Sequence, residues 1–156
     1  MKAININGNI KEYRNVPKSW GNVIGGFHLL SDSDLQTYGF YDIVIPADYN
    51  DSVHNLGDLY FDDANNVFKR DLIDKTWTET LDELKQNKIA NYKTEINLKL
   101  QETDWYIVRN AETGAEIPAN ITTQRADYRA ESVTIENEVN ALTTKQEVIL
   151  YEHLID

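Results

Sequence analysis

The chain has 156 residues and a formal net charge of −11, from 15 Lys and Arg against 26 Asp and Glu. That length suits one domain or two small ones, and the acidity, with no basic run to offset it, argues against nucleic acid as a partner. The absence of Cys excludes disulfides, thiol nucleophiles and Cys-based metal sites. The start, MKAININGNIKEYR, lacks the apolar core of a signal peptide, and no apolar run approaches the roughly 18 residues of a membrane span. A soluble protein made in a cytoplasm is expected.

Hydrophobic residues make up 41% of the chain, enough for a core, and aromatics are plentiful, with 9 Tyr, 4 Phe and 3 Trp. Tyr and Trp combine apolar area with a polar tip, which suits both cores and interfaces.

The first third reads as β structure. Ala3 to Ile6 and Ile10 to Tyr13 are short alternating runs around Asn7-Gly8, a pair suited to a type I′ turn whose two central residues need positive φ. Pro17 interrupts before Trp20, and Gly25-Gly26 marks a bend. Ser31, with Asp34 three residues later, predicts a capped short helix through Leu35 and Tyr38, ended by Gly39. Phe40 to Pro46 reads as a strand centred on Ile43, Val44 and Ile45.

Leu56 to Phe61 and Asn66 to Leu72 form a predicted hairpin around Asp62-Asp63-Ala64-Asn65, where Asx side chains bond their own backbone. A calcium loop is the weaker reading, because the spacing lacks the Gly and the distant bidentate Glu of an EF-hand. Ten Asp residues between Ser31 and Asp74 face only Lys69 and Arg70. They read as a solvated surface or as an electrostatic face for a basic partner.

From Asp74 the hydrophobic period changes. Trp77, Leu81, Leu84, Tyr92, Ile96 and Leu100 share one helical face, with Lys88 at an expected apolar position. A helix from Thr76 to Gln101 would be about 39 Å long at about 1.5 Å per residue, enough to project beyond a small β domain. After a link of about fifteen residues, Pro118 suits the opening of a second helix. Its Tyr128, Ser132, Ile135, Val139 and Leu142 form a heptad-like seam. Val148 to Leu154 is a final apolar run of unassigned state. The fold expected is α+β: an antiparallel β-rich N-terminal domain over 1–73 and an antiparallel helical hairpin over 74–156.

No catalytic constellation stands out. His28, His54 and His153 are scattered, and Ser19, Ser31, Ser33, Ser52 and Ser132 lack a nucleophile-elbow context. Gly25-Gly26 is not followed by the Lys-Ser/Thr of a phosphate loop. The expectation is a protein that is not an enzyme and has no cofactor, metal, small-molecule substrate or membrane contact.

The most informative stretch runs from Glu102 to Arg129. Thr103 and Asp104 suit a cap where the chain changes direction, and Trp105 and Tyr106, with Ile107 and Val108 beside them, are expected to plug a helix–helix junction as a buried anchor. Arg109, Arg125 and Arg129 suit ion pairs with Glu102, Asp104 or Glu112.

Over Leu98 to Arg129 the chain resembles the phage tail assembly chaperone and tail fibre assembly families. The likeness rests on Leu100, Thr103-Asp104-Trp105, a polar link with Gly114, Ile117-Pro118, and the Arg125/Tyr128-Arg129 cluster. Trp20, Phe27, Leu29-Leu30 and Leu35 to Phe40 are similar to N-terminal halves found on such proteins. Ala130-Glu131-Ser132 stands where the family pattern has Leu-Arg-Asp.

The resemblance implies a non-enzymatic chaperone that binds the C-terminal region of a trimeric tail fibre protein during assembly in the host cytoplasm. Thr103, Asp104, Trp105, Tyr106, Pro118, Arg125, Tyr128 and Arg129 would be its partner-binding or structural motif. Two alternatives are a structural or host-recognition module retained at the fibre or baseplate, and a carbohydrate binder using Trp20 or Tyr49.

Overall fold

A computed structural model of the protein describes residues 1–155 and divides the chain into two compact units, Met1–Lys75 and Thr76–Asp156. The first unit is built on a five-stranded sheet and the second on helices.

In the first unit, β1 (Lys2–Ile6) and β2 (Asn9–Tyr13) pair antiparallel, with Ile6 opposite Asn9. Asn7 and Gly8 take φ of 53° and 86° between them, the positive values that a type I′ turn requires. β3 (Tyr41–Val44) lies antiparallel beside β1 and stops two residues short of the expected Pro46. β4 (His54–Asp62) and β5 (Val67–Asp74) form the predicted hairpin, and Asp62 Oδ1 accepts from the Ala64 N–H in the turn at 3.1 Å. Two further bonds occupy the Asp62 carboxylate, a salt bridge from Lys69 and a hydrogen bond from the Asn65 amide.

The sheet is not purely antiparallel. Its order is β2-β1-β3-β5-β4, and β3 runs parallel to β5, with Ile43 opposite Phe68. The reversal follows from the connection after Val44: β4 takes the outer edge, and β5 returns between it and β3. Short-range patterning marks each strand but carries no information about which neighbour it takes.

One face of this unit is closed by Ile4, Phe27, Leu35 and Phe40, with Tyr13 and Trp20 packed against them. Trp20 meets Phe40 edge to face at 4.9 Å, and Phe27 meets Phe40 at 5.3 Å. Trp20 is therefore a core residue and not a free sugar platform, while Tyr49 is exposed. Helix α1 (Asp32–Thr37) begins as predicted, with Ser31 Oγ accepting from the Asp34 N–H, and Gly39 follows it at φ 84°. Lys2 is buried and bridges Asp32 and Asp42 at 2.9 and 3.1 Å. Burial disfavours its charge, yet the two carboxylates outweigh that and hold its pKa above the usual lysine value.

The second unit contains α2 (Leu81–Gln101), α3 (Asp104–Thr113), α4 (Ala119–Ala141) and α5 (Lys145–Leu150). The two-helix plan of the sequence reading is thus too simple. Residues 104–113 of the expected link are themselves helical, and the apolar run left unassigned from Val148 begins inside a further helix, which is capped by Thr144 and ends at Leu150. α2 also starts later than Thr76, because Thr80 and Glu83 form a reciprocal capping box that leaves Trp77 outside it. Thr144 and Glu147 repeat that device at α5.

The core here is Ile96 from α2 against Tyr128, Ile135 and Val139 from α4, flanked by Ile89, Tyr92, Leu100, Tyr151 and Ile155. Lys88, the break in the apolar seam, has a purpose: its Nζ donates to Ile149 O and Tyr151 O at 3.2 and 3.0 Å, at the end of α5. A cation placed there satisfies orphan carbonyls and opposes the negative end of the helix dipole.

A candidate partner-binding site at the α2–α3 joint

Arg125 lies one step before the α4 seam, three residues ahead of Tyr128, and its side chain points inward. Only 7% of the residue remains exposed. Its Nη1 donates to Leu100 O at 2.6 Å and to Thr103 Oγ1 at 2.7 Å. Its Nη2 pairs with Asp104 Oδ1 at 2.9 Å. One guanidinium thus ties the last turn of α2, the joint and the first residue of α3 to α4. A planar fork with fixed donor directions suits that task better than a lysine would. Its Nε is buried without a partner.

Thr103 is buried too, and its hydroxyl donates to Leu100 O at 3.0 Å while accepting from Arg125. It occupies the cap position of α3 but makes no side-chain cap bond there, in contrast to the expected cap. The hydroxyl is turned back to α2 instead. Tyr128 is buried beside the joint and accepts from Gln124 Nε2 at 3.3 Å. Pro118 sits at the cap position of α4, where its carbonyl accepts from Ile121 and Thr122.

Trp105 is the main correction. It was expected to be a buried plug, but 51% of it is exposed, with Val108 at 54% and Ile107 at 39%. Tyr106 is half-buried, and its ring lies 3.8 Å from that of Trp105. The Arg109 guanidinium rests over the Trp105 ring at 5.8 Å, within reach of a cation–π attraction. The reason is periodicity: Asp104 is held by Arg125, and a helix turns the next residue about 100° away. α3 buries none of its residues. Gly114, at φ 70°, ends it in the left-handed conformation.

Among the described residues, neither Arg109 nor Arg129 forms a salt bridge with a carboxylate, so of the expected pairs only Arg125–Asp104 is made. Arg129 is exposed and donates to Arg125 O at 3.3 Å. Of the eight motif residues, the structure gathers Thr103, Asp104, Arg125 and Tyr128 into one joint, with Arg129 at its edge. It leaves Trp105 facing outward and Pro118 apart, at the opening of α4. Ile107 and Val108 join the exposed face without having been named as site residues. Their signal was present in the sequence, since apolar side chains inside a supposed polar link need either burial or a partner.

The histidines are placed as follows. His54 Nδ1 accepts from the Asn50 N–H, and its Nε2 lies 3.6 Å from Asp74. His153 lies between Glu131 at 3.1 Å and Glu138 at 3.5 Å. The described residues contain no cluster of three His, Cys, Asp or Glu arranged to hold a metal ion. Comparison with family models, with curated proteins and with solved structures finds no match to this chain. No helix among the described residues is long and apolar enough to cross a membrane.

Proposed function

We propose that this chain is a non-enzymatic assembly chaperone for phage tail fibres, acting by binding alone in the host cytoplasm. The observation that carries the reading is α3: a helix that buries none of its residues, rooted by Arg125 and turning Trp105, Ile107 and Val108 outward. Exposed aromatic and aliphatic side chains on one short element are what a protein interface uses. A tail fibre trimer interlocks β-rich chains and exposes sticky edges while it assembles, so covering those edges would suppress aggregation. The likeness over Leu98 to Arg129 points to the same partner.

In this reading α2 and α4 act as an antiparallel helical hairpin that presents α3 at its turn. Their cross-contacts run in opposite order along the two helices: Lys85 Nζ to Asn140 O at 2.8 Å, Lys93 to Glu136 at 2.7 Å, and Leu100 O to Arg125 at 2.6 Å.

The test is co-expression with the cognate fibre protein. The yield of soluble fibre trimer should rise and the two proteins should co-purify, and Trp105→Asp should abolish both effects without unfolding the chain. A fibre that folds equally well alone, with no complex at micromolar concentration, would overturn the proposal. The second reading, a structural or host-recognition module retained at the fibre or baseplate, draws on the same α3 root, which this chain completes without a partner. Mass spectrometry of purified virions separates the two: stoichiometric presence supports retention, and absence supports a transient chaperone.

A further inference from the structure

The α2–α4 pair has two sides, and they are treated differently. One side is covered by α5 and the residues after it. There the His153 N–H donates to Tyr92 Oη at 2.8 Å, and Tyr151 Oη donates to Glu138 at 2.6 Å. The other side is an open groove of about 390 Å³. Its floor is Ile96 and Leu100, its polar wall Asn97 and Ser132, and its rim Val133 and Arg129. On each helix these residues recur at spacings of three and four, so each set forms a single stripe.

The electrostatics of the groove are uneven along its length. At one end Lys93 and Glu136 neutralise each other across it at 2.7 Å. Toward the other end stands Arg129, seven residues and about 10 Å along α4 from Glu136 at about 1.5 Å per residue. Its Nη1 donates to a backbone carbonyl at 3.3 Å, and no carboxylate among the described residues pairs with it. In a chain of net charge −11, where carboxylates outnumber cations, an unpaired guanidinium beside an apolar floor is a distinct feature. Val133, 59% exposed at the rim, adds apolar area that water now covers.

We propose that this groove docks a segment of a partner protein that carries an Asp or Glu side chain close to a large apolar side chain. The carboxylate takes the Arg129 fork, where a charge-assisted and bidentate pair is available. The apolar side chain lies on Ile96, Leu100 and Val133. Asn97 and Ser132 supply hydrogen-bonding groups to the segment's backbone. Basic segments are disfavoured here by Arg129, although the acidic remainder of the chain would attract them. The volume accommodates one or two side chains, so the surface reads a short motif. This site shares Leu100 and Arg129 with the stretch that carries the family likeness but does not use the exposed face of α3, so Arg129 variants test it separately from Trp105 and the tail fibre reading.

The experiment is selection of a displayed library of random 12-residue peptides on the full chain, with counter-selection on the Arg129→Glu variant. The enriched peptides should carry Asp or Glu within four residues of Leu, Ile, Phe or Trp. By fluorescence polarisation, binding should fall at least tenfold in Arg129→Glu and in Val133→Lys. Both altered residues are exposed, and circular dichroism melts should match the parent chain. The decisive arm is a charge swap: a Glu→Lys change in the peptide should abolish binding to the parent chain and restore it to Arg129→Glu. No enrichment, enrichment of peptides without a carboxylate, or binding indifferent to Arg129 would overturn the proposal. So would concentration-dependent self-association lost in Arg129→Glu, because the occupant would then be a second copy of this chain.

Discussion

The segment from Thr103 to Arg129 contains two regions with opposite fates. At the joint, Thr103 and Arg125 are buried and bonded to each other and to the end of α2, and Tyr128 is buried in the α2–α4 core beside them. Immediately beyond it, Trp105, Ile107 and Val108 are exposed on a helix without a core of its own. The first region resembles a folding device and the second an unfinished interface. Their adjacency is informative, because a rigid root lowers the entropy that ordering α3 would otherwise cost on binding. Stability and availability are thus divided between Thr103, held by Arg125 at the joint, and Trp105, only two residues further along the chain.

The largest expected effect tests the buried half. Arg125→Ala should destabilise the chain by about 3 kcal/mol, since it leaves Thr103 Oγ1 and Leu100 O without their charged donor. The value falls at the low end for a buried pair because Asp104 keeps contact with water. Urea denaturation measures it, and Arg125→Lys should recover only part, having lost the fork. A loss below about 1 kcal/mol would mean that the joint does not organise α3.

Thr103→Val should cost about 1 kcal/mol by the same measurement, because the hydroxyl bridging α2 and Arg125 is replaced by a methyl of similar shape. A neutral result would place the whole burden of the joint on Arg125 alone.

The exposed half should behave in the opposite way. Trp105→Ala should change stability by less than about 1 kcal/mol while removing the proposed fibre complex, because half the residue is already in water. A loss of several kcal/mol with the complex retained would reverse the assignment and restore Trp105 as a structural anchor.

The smallest effect lies outside this segment and serves as a reference for a half-buried surface ion pair. The Lys69 ammonium, with help from the Asn65 amide, holds the Asp62 carboxyl at about 2, below its ordinary value of 3.8. A depressed folded-state pKa stabilises fully above the unfolded value and is lost as pH falls through the folded one. The hairpin contribution should therefore persist above about pH 4 and fade toward about pH 2. Thermal melts across that range should fall more steeply for the parent chain than for Asp62→Asn. Equal slopes would show that the pair contributes nothing on its own.

Much of the fold was legible where a feature depends on residues a few positions apart. The Asn7-Gly8 turn, the Ser31 cap, Gly39 after α1 and the Asp62 turn are all in place. So is the α4 seam through Tyr128, Ile135 and Val139. The capping boxes at Thr80 and Thr144 follow the same short-range logic and were readable from Thr-x-x-Glu, although the apolar spacing drew the helix start back to Thr76. Extending the seam three residues back from Tyr128 would also have placed Arg125 inside.

By itself, then, the sequence determined turns, caps, periods and the change from sheet to helix near Asp74, because each is a competition among neighbouring residues. Only the tertiary structure decided that β5 runs parallel to β3, that Lys88 caps the end of α5, and that Trp105 faces outward. Arg125 reaches back 25 residues and Lys88 forward 61 to find their partners. At those separations side-chain type is a weak guide, and what decides the outcome is which unpaired backbone carbonyl the folded chain brings within reach of a cation.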